Sequence, residues 1–142
     1  MEIRSLMISD YDQIVALWQK AGLSYRPEGR DRKDAIQSQM AVNPDFFMGA
    51  FEGVRLLGVL VVSSDGRRGW INRLAVDPEC RRRGVAKALI SEAERILRGH
   101  GMRIFCALID DTNAGSMRLF KNCGYRAHRD IVYFSKRDSD RV

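Results

Sequence analysis

Eleven consecutive residues, Val76-Asp77-Pro78-Glu79-Cys80-Arg81-Arg82-Arg83-Gly84-Val85-Ala86, carry the most informative chemistry in the chain. They comprise an apolar strand end, an Asp-Pro turn, three arginines and a glycine where a helix should begin. The first amides of a helix lack intrahelical partners and sit at the positive end of its dipole, so an anion there gains hydrogen bonds and favourable charge. Gly84 keeps side-chain bulk away from that anion, Ala86 keeps the next turn narrow, and Arg81, Arg82 and Arg83 add positive charge beside it. A pyrophosphate fits such a site. Taken alone, an arginine triplet is more often a solvated charge run; the strand before it and the helix after it turn the balance. Neither GxxxxGK[ST] nor a helix-opening GxGxxG occurs, which argues against the common ATP and NAD loops.

The elements around this segment can be read from periodicity. Residues 2–8 predict a strand, and Asp10 followed by Gln13 predicts a capping box opening a helix over 11–21, with Ile14, Leu17, Trp18 and Ala21 on one face. The polar stretch SYRPEGRDRKD predicts the most mobile loop and leads to a second helix near 32–41, striped by Ala35, Ile36 and Met40. DFFMGAFEG, RLLGVLVVSS and GWINRLAV read as strands separated by turns at Gly53 and Asp65-Gly66. A helix over 85–98 buries Val85, Leu89, Ala93, Ile96 and Leu97 and is stopped by Gly99 and Gly101. RIFCALID is a further strand, Asn113 to Gly124 bounds a last helix, and DIVYFSK is a final alternating strand. The order βααβββαβαβ predicts one α/β domain over 1–142, with a mixed, mostly antiparallel sheet, one parallel pair made through a right-handed crossover, and helices covering the faces.

Composition narrows the function classes. The net charge of +6 suits a polyanionic partner, either a phosphorylated cofactor or nucleic acid, and there is no long basic tail. The three cysteines, Cys80, Cys106 and Cys123, share no CxxC spacing, so reduced structural thiols are expected, with no metal and no disulfide framework. No apolar run reaches the roughly 18 to 20 residues of a membrane span, and the N-terminus lacks a signal-peptide pattern; a soluble cytoplasmic protein is expected.

Two motifs together resemble the GNAT superfamily of N-acetyltransferases. Arg81-x-x-Gly84-x-Ala86, preceded by Asn72 to Val76 and the Asp-Pro turn, is similar to that family's [Q/R]-x-x-G-x-[G/A] signature. Asn113-x-x-Ser116-x-x-Leu119-Phe120-x-x-x-Gly124-Tyr125 is similar to its second motif, and the pattern is closest to bacterial ribosomal-protein-alanine-acetyltransferase-like members. The resemblance implies the GNAT fold with its central parallel β4/β5 pair and acetyl-CoA as co-substrate. It implies a pyrophosphate held by Arg81, Arg82, Arg83, Gly84, Val85 and Ala86, and backbone from Leu74, Ala75 and Val76 running along the pantetheine arm. It further implies Asn113 and Ser116 near that arm and Phe120 near the sulfur. The acceptor would be an amine on a small molecule or a protein, and the enzyme a monomer or homodimer with no membrane partner. Residues 20–45 match nothing in the family pattern.

Catalytic assignments do not follow as readily. Relatives often carry a tyrosine as the acid for the departing thiolate where this chain has Phe120, and the acidic strand position of relatives acting on protein N-termini falls on Leu108. A thiol with a pKa of about 8.5 leaves without obligatory acid help, so direct attack by the amine is the expected route. No catalytic base is assigned. Asp110 and Asp111 read first as turn or cap residues and second as a cationic-amine relay; Tyr25 reads first as a cover for the first helix and second as a replacement hydroxyl. Cys123 reads as core, His100 and His128 as surface, and Trp18 and Trp70 as core anchors. Two other classes remain beside the enzyme: a CoA-binding sensor without catalysis, and a basic nucleic-acid-binding module whose affinity would fall steeply with salt.

Overall fold

The computed structural model describes residues 1–142. Its elements are β1 (Glu2–Ser5), α1 (Tyr11–Lys20), α2 (Lys33–Val42), β2 (Phe47–Glu52), β3 (Arg55–Ser64), β4 (Gly69–Val76), α3 (Val85–Gly99), β5 (Phe105–Ala107) and α4 (Ala114–Asn122). The strands form one sheet in the order β1-β2-β3-β4-β5. The first three pairings are antiparallel and β4–β5 is parallel, as a β-α-β crossover requires. The α/β fold with a mixed sheet and flanking helices is therefore the one the sequence predicts.

β3 is the centre of the core: Leu56 to Leu60 and Val62 are buried, and α3 lies across the strand. Gly58 makes that packing close. A Cβ there would come within 2.8 Å of Val85 and 2.9 Å of Leu89, so any larger residue would lift the start of α3 away from the sheet. One cluster of 26 buried apolar residues joins the helices to the sheet. No helix is long and apolar enough to cross a membrane.

Four local readings are corrected. Asp10 does not form a capping box with Gln13: its carboxylate accepts from the Met7 amide at 2.8 Å and pairs with Arg4 at 3.0 Å, while Gln13 accepts from the Leu56 amide at 3.3 Å. A buried carboxylate takes the stronger charged donor. The SYRPEGRDRKD loop is tied down rather than loose. Asp31 in it is 5% exposed and accepts from the Arg26 amide at 2.7 Å, and the Tyr11 hydroxyl donates to the Asp31 carbonyl at 2.7 Å. DIVYFSK forms no strand. Residues 126–142 are all exposed and make no backbone–backbone hydrogen bond. β propensity without a partner edge does not make a ladder. RIFCALID likewise pairs over only three of its eight residues.

Candidate active site

The parallel pair sets the geometry. β4 and β5 are in register only over Gly69 to Ile71 against Phe105 to Ala107, and beyond Ile71 they separate. β4 remains paired with β3 to its end, through Ala75 opposite Val59 and Val76 opposite Gly58, and the Asp77 amide donates to Leu57 at 2.8 Å. Backbone groups alternate along a strand, so with Asp77 and Ala75 turned toward β3, Leu74 and Val76 turn theirs to the opposite, unpaired edge. A register shift against β3 and a left-handed φ of 53° at Arg73 mark where β4 bends away. Such a bulge re-aims a strand beside a functional opening.

That edge leads directly into the basic loop. Asp77 caps a short 3-10 turn by accepting from the Glu79 amide at 2.9 Å, and also takes Lys20 and Arg55, each at 3.1 Å. The Glu79 amide first, then the two cations, hold its carboxyl below the usual carboxylate range. Periodicity gave no sign of this anchor: its cations lie 57 and 22 residues away in the chain.

Arg82 and Gly84 both lie in the left-handed region, at φ 65° and 78°. Such a backbone can turn successive amides toward one side, and for a residue with a side chain it is strained, which is commonest at functional sites. Gly84 begins α3 with no side-chain cap and no acidic residue in the first turn, and a Cβ added there would meet nothing within 4 Å. Gly84 is therefore demanded by its left-handed backbone and not by crowding. α4 differs, because Asn113 caps it by accepting from the Ser116 amide at 3.1 Å.

The three arginines separate. Arg83 pairs with Glu52 at 2.7 Å and lies 3.7 Å from the Cys80 sulfur, whereas Arg81 and Arg82 are exposed and make no ion pair. Val85 is buried under the loop and Ala86 is half-buried. In α4, Ser116 is half-buried and Phe120 is 6% exposed, its ring edge-on to Tyr125 at 5.0 Å. Tyr125 does not supply the hydroxyl that Phe120 lacks, since it donates to Glu94 at 2.6 Å. Burial, reinforced by that carboxylate, pushes it far above the ordinary phenol value.

The remaining candidates take their plainer roles. Asp110 accepts from the Thr112 hydroxyl at 2.7 Å and amide at 3.1 Å, contacts that lower its pKa and make it a poor base; Asp111 is exposed. Tyr25 is half-buried beside Trp18, with ring centroids 6.4 Å apart. Burial raises the thiols of Cys106 and Cys123, and Cys80 is buried. His100 meets Asp45 at 3.1 Å, and His128 is exposed.

On the other side of the β4 bend lies a groove of about 660 Å³ between α2, β3 and β4, with Ser38, Gln39, Ser63, Asn72 and Arg73 among its lining. Arg73 pairs with Asp31 at 3.1 Å and stacks over Trp18 at 4.3 Å, so one residue of the bulge ties the loop before α2 to the sheet. The sequence placed no role on Arg73 or Asp31.

The site thus combines a parallel pair whose ladder ends at Ile71, an uncapped helix behind a basic turn, and a groove lined by α2, β3 and β4. The family is equally clear: residues 11–125 match the model of the acetyltransferase (GNAT) family, and the chain belongs to that family. It is 31% identical over 138 residues to an acetyltransferase of Photorhabdus laumondii, covering 96% of this chain and 95% of the relative. It is 28% identical over 137 residues to an acetyltransferase of Sodalis glossinidius, with 96% and 95% covered. Among solved structures it resembles the PaiA N-acetyltransferase of Thermoplasma acidophilum in complex with coenzyme A, with a TM-score of 0.78 at 20% identity over 89% of this chain and 90% of that one. It also resembles the aminoglycoside acetyltransferase AAC(6')-Iy in complex with a bisubstrate analogue, with a TM-score of 0.77 at 19% identity over 96% and 97%.

Proposed function

We propose that this acetyltransferase uses acetyl-CoA and acetylates a primary amine, on a protein N-terminus, a lysine or a small molecule, by direct attack with both substrates bound. The observation that carries the reading is the continuity of the free β4 edge at Leu74 and Val76 with the uncapped start of α3 at Gly84. When bound, acetyl-CoA supplies an activated thioester. Gly84, Val85 and Ala86 offer amides to its diphosphate, and Arg81 and Arg82 add charge, with Arg83 held back by Glu52. The unpaired β4 edge accommodates the arm as an added strand would be, and a free amide there is available to the reacting carbonyl oxygen. Asn113 and Ser116 flank the arm, and Phe120 shields the sulfur side from water.

No side chain of the site serves as an acid for the departing thiolate, which at its ordinary pKa needs none. The acceptor amine must arrive neutral or lose its proton to water, so turnover rises with pH toward the amine's own pKa. The ribosomal-protein-alanine-acetyltransferase-like pattern keeps protein N-termini among the acceptors, and the bisubstrate complex of the structural relative keeps aminoglycosides among them. The test is thiol release from acetyl-CoA with an amine panel containing N-terminal peptides, lysine peptides, polyamines and aminoglycosides. Saturable CoA binding with no thiol release on any amine would favour the sensor reading that Phe120 motivates. No CoA binding by folded protein would refute both.

A further inference from the structure

The groove between α2, β3 and β4 begins where the β4–β5 ladder ends. Ile71 is the last residue of β4 paired with β5, and the next two, Asn72 and Arg73, both line the groove. With acetyl-CoA along the β4 edge at Leu74 and Val76, as proposed above, the groove is the space from which an acceptor amine reaches the thioester. Its charges are the reverse of what a polycation needs. Of its 14 lining residues only Arg30, Asp31 and Arg73 are charged. The one carboxylate is already committed: Asp31 is 5% exposed, and its Oδ2 accepts from the Arg26 amide at 2.7 Å and from Arg73 at 3.1 Å. Arg30 is exposed, and its one protein hydrogen bond runs from Nη1 to the Val142 carbonyl at 2.7 Å. With Arg73 and Asp31 cancelling, Arg30 leaves the groove net positive. Donors are in surplus as well. Trp18 Nε1, Arg26 Nε and Arg73 Nε are buried without an acceptor, and all three belong to this corner, since Arg73 stacks over Trp18 at 4.3 Å and Asp31 joins it to Arg26. Unpaired buried N–H groups are costly, and their dipoles add to the positive field.

We infer that the acceptor is an amine that carries an anionic group, a carboxylate above all, and no second positive charge. This rests on the acetyltransferase reading above and narrows it. A polyamine or an aminoglycoside brings several cations, and the groove has no free carboxylate to meet them. Arg30 takes the acceptor's carboxylate at the loop end. At the β4 end, Asn72 Nδ2 donates to Ser63 Oγ at 3.0 Å, which leaves the Asn72 amide oxygen to accept an N–H of the incoming amine. The polar lining between them, Ser38, Gln39 and Asn43, is neutral. The same field serves the chemistry. A positive surrounding disfavours the ammonium form and so lowers the amine's pKa, which raises the fraction with a free lone pair; carboxylates would do the opposite. The groove thereby supplies part of what a catalytic base would. Attack by that nitrogen forms the C–N bond as the C–S bond breaks, the nitrogen's surplus proton passes to water, and the thiolate takes a proton from water. The carboxylate can belong to a small amino carboxylate or to an acidic residue beside a peptide N-terminus.

The test is a series matched in length: 5-aminopentanoate, pentylamine and 1,5-diaminopentane share a primary alkylamine and differ in whether the far end is anionic, neutral or cationic. Each is titrated calorimetrically into protein saturated with CoA and assayed by thiol release from acetyl-CoA. Affinity and kcat/KM should fall in that order, by about fivefold or more at each step, and salt should compress the differences. Arg30→Lys should keep the order and Arg30→Glu should invert it, with circular dichroism and CoA titration confirming that each variant is intact. Two tripeptide amides that begin with serine, one continuing with two glutamates and the other with two glutamines, separate the two sources of the anion. Preference for the acidic peptide over its neutral counterpart points to a protein N-terminus, and use of the amino carboxylate alone points to a small molecule; either supports the inference. A flat or reversed order, in binding or in turnover, overturns it. If CoA binds and thiol is released but the diamine leads, the inference fails and the acetyltransferase reading stands. If folded protein binds no CoA, that reading fails and the inference falls with it.

Discussion

Gly84 permits the sharpest test of the phosphate cradle, because two effects of substituting it can be separated. Its φ of 78° is left-handed, so alanine there costs about 1–2 kcal/mol of backbone strain whatever it does to a ligand. With an unfolding entropy near 2.1 cal/mol/K per residue, that corresponds to a melting temperature lower by roughly 3–7 °C. Gly66 is the matched control: its φ is 87°, a Cβ there also meets nothing within 4 Å, and it lies in the turn between β3 and β4, away from the basic loop. Gly66→Ala should melt about as early as Gly84→Ala and bind CoA as the unmodified protein does.

Gly84→Glu then adds the electrostatic part. A carboxylate about 4 Å from a phosphate charge costs roughly 1 kcal/mol in water and about 4 kcal/mol at the effective dielectric of a partly covered site. Gly84 is exposed, so the loss should fall between these limits, about 5-fold to 10³-fold in the dissociation constant for CoA. Isothermal titration calorimetry with CoA, on variants shown to be folded, reads this directly. If Gly84→Glu binds CoA within twofold of the parent, the anion site does not lie at the start of α3 and the functional reading fails with it.

The arginines should divide as their contacts do. Replacing Arg81 and Arg82 together by alanine should weaken CoA about tenfold and flatten its salt dependence, whereas Arg83→Ala should cost less than about threefold because Glu52 already neutralises that charge, as titrations at two ionic strengths would show. Asp77→Ala removes a turn cap and two charge-assisted bonds and should destabilise the chain by on the order of 2–3 kcal/mol in thermal or urea unfolding. Asp77 has a depressed folded pKa, so its contribution is complete above the unfolded value near 4 and is lost as pH falls through the folded value; Asp77→Asn should flatten the stability profile in that acid range. Arg73→Ala leaves buried Asp31 without its cation and should cost about 3 kcal/mol. It should also open the loop before α2 to limited proteolysis.

What could be read in the sequence was what neighbouring residues decide among themselves. GWINRLAV reads as a strand because its residues fit the pleat, and the observed β4 has the same bounds. The start of α3 was legible because a glycine and an amphipathic helix signal each other within a few residues. The Asp77 anchor was not legible, because Lys20 and Arg55 reach it only after the sheet has formed. Arg73 was hidden for a similar reason: its left-handed φ is imposed by the register shift against β3 and by a salt bridge to a loop 42 residues away, and no local preference of arginine announces either. Phe120 could be seen to lack a hydroxyl, but that Tyr125 beside it is already committed to Glu94 depends on how α4 docks on α3. The tail marks the same boundary from the other side. DIVYFSK has every local attribute of a strand and no ladder within its own chain, because propensity makes a strand only where a partner edge is available.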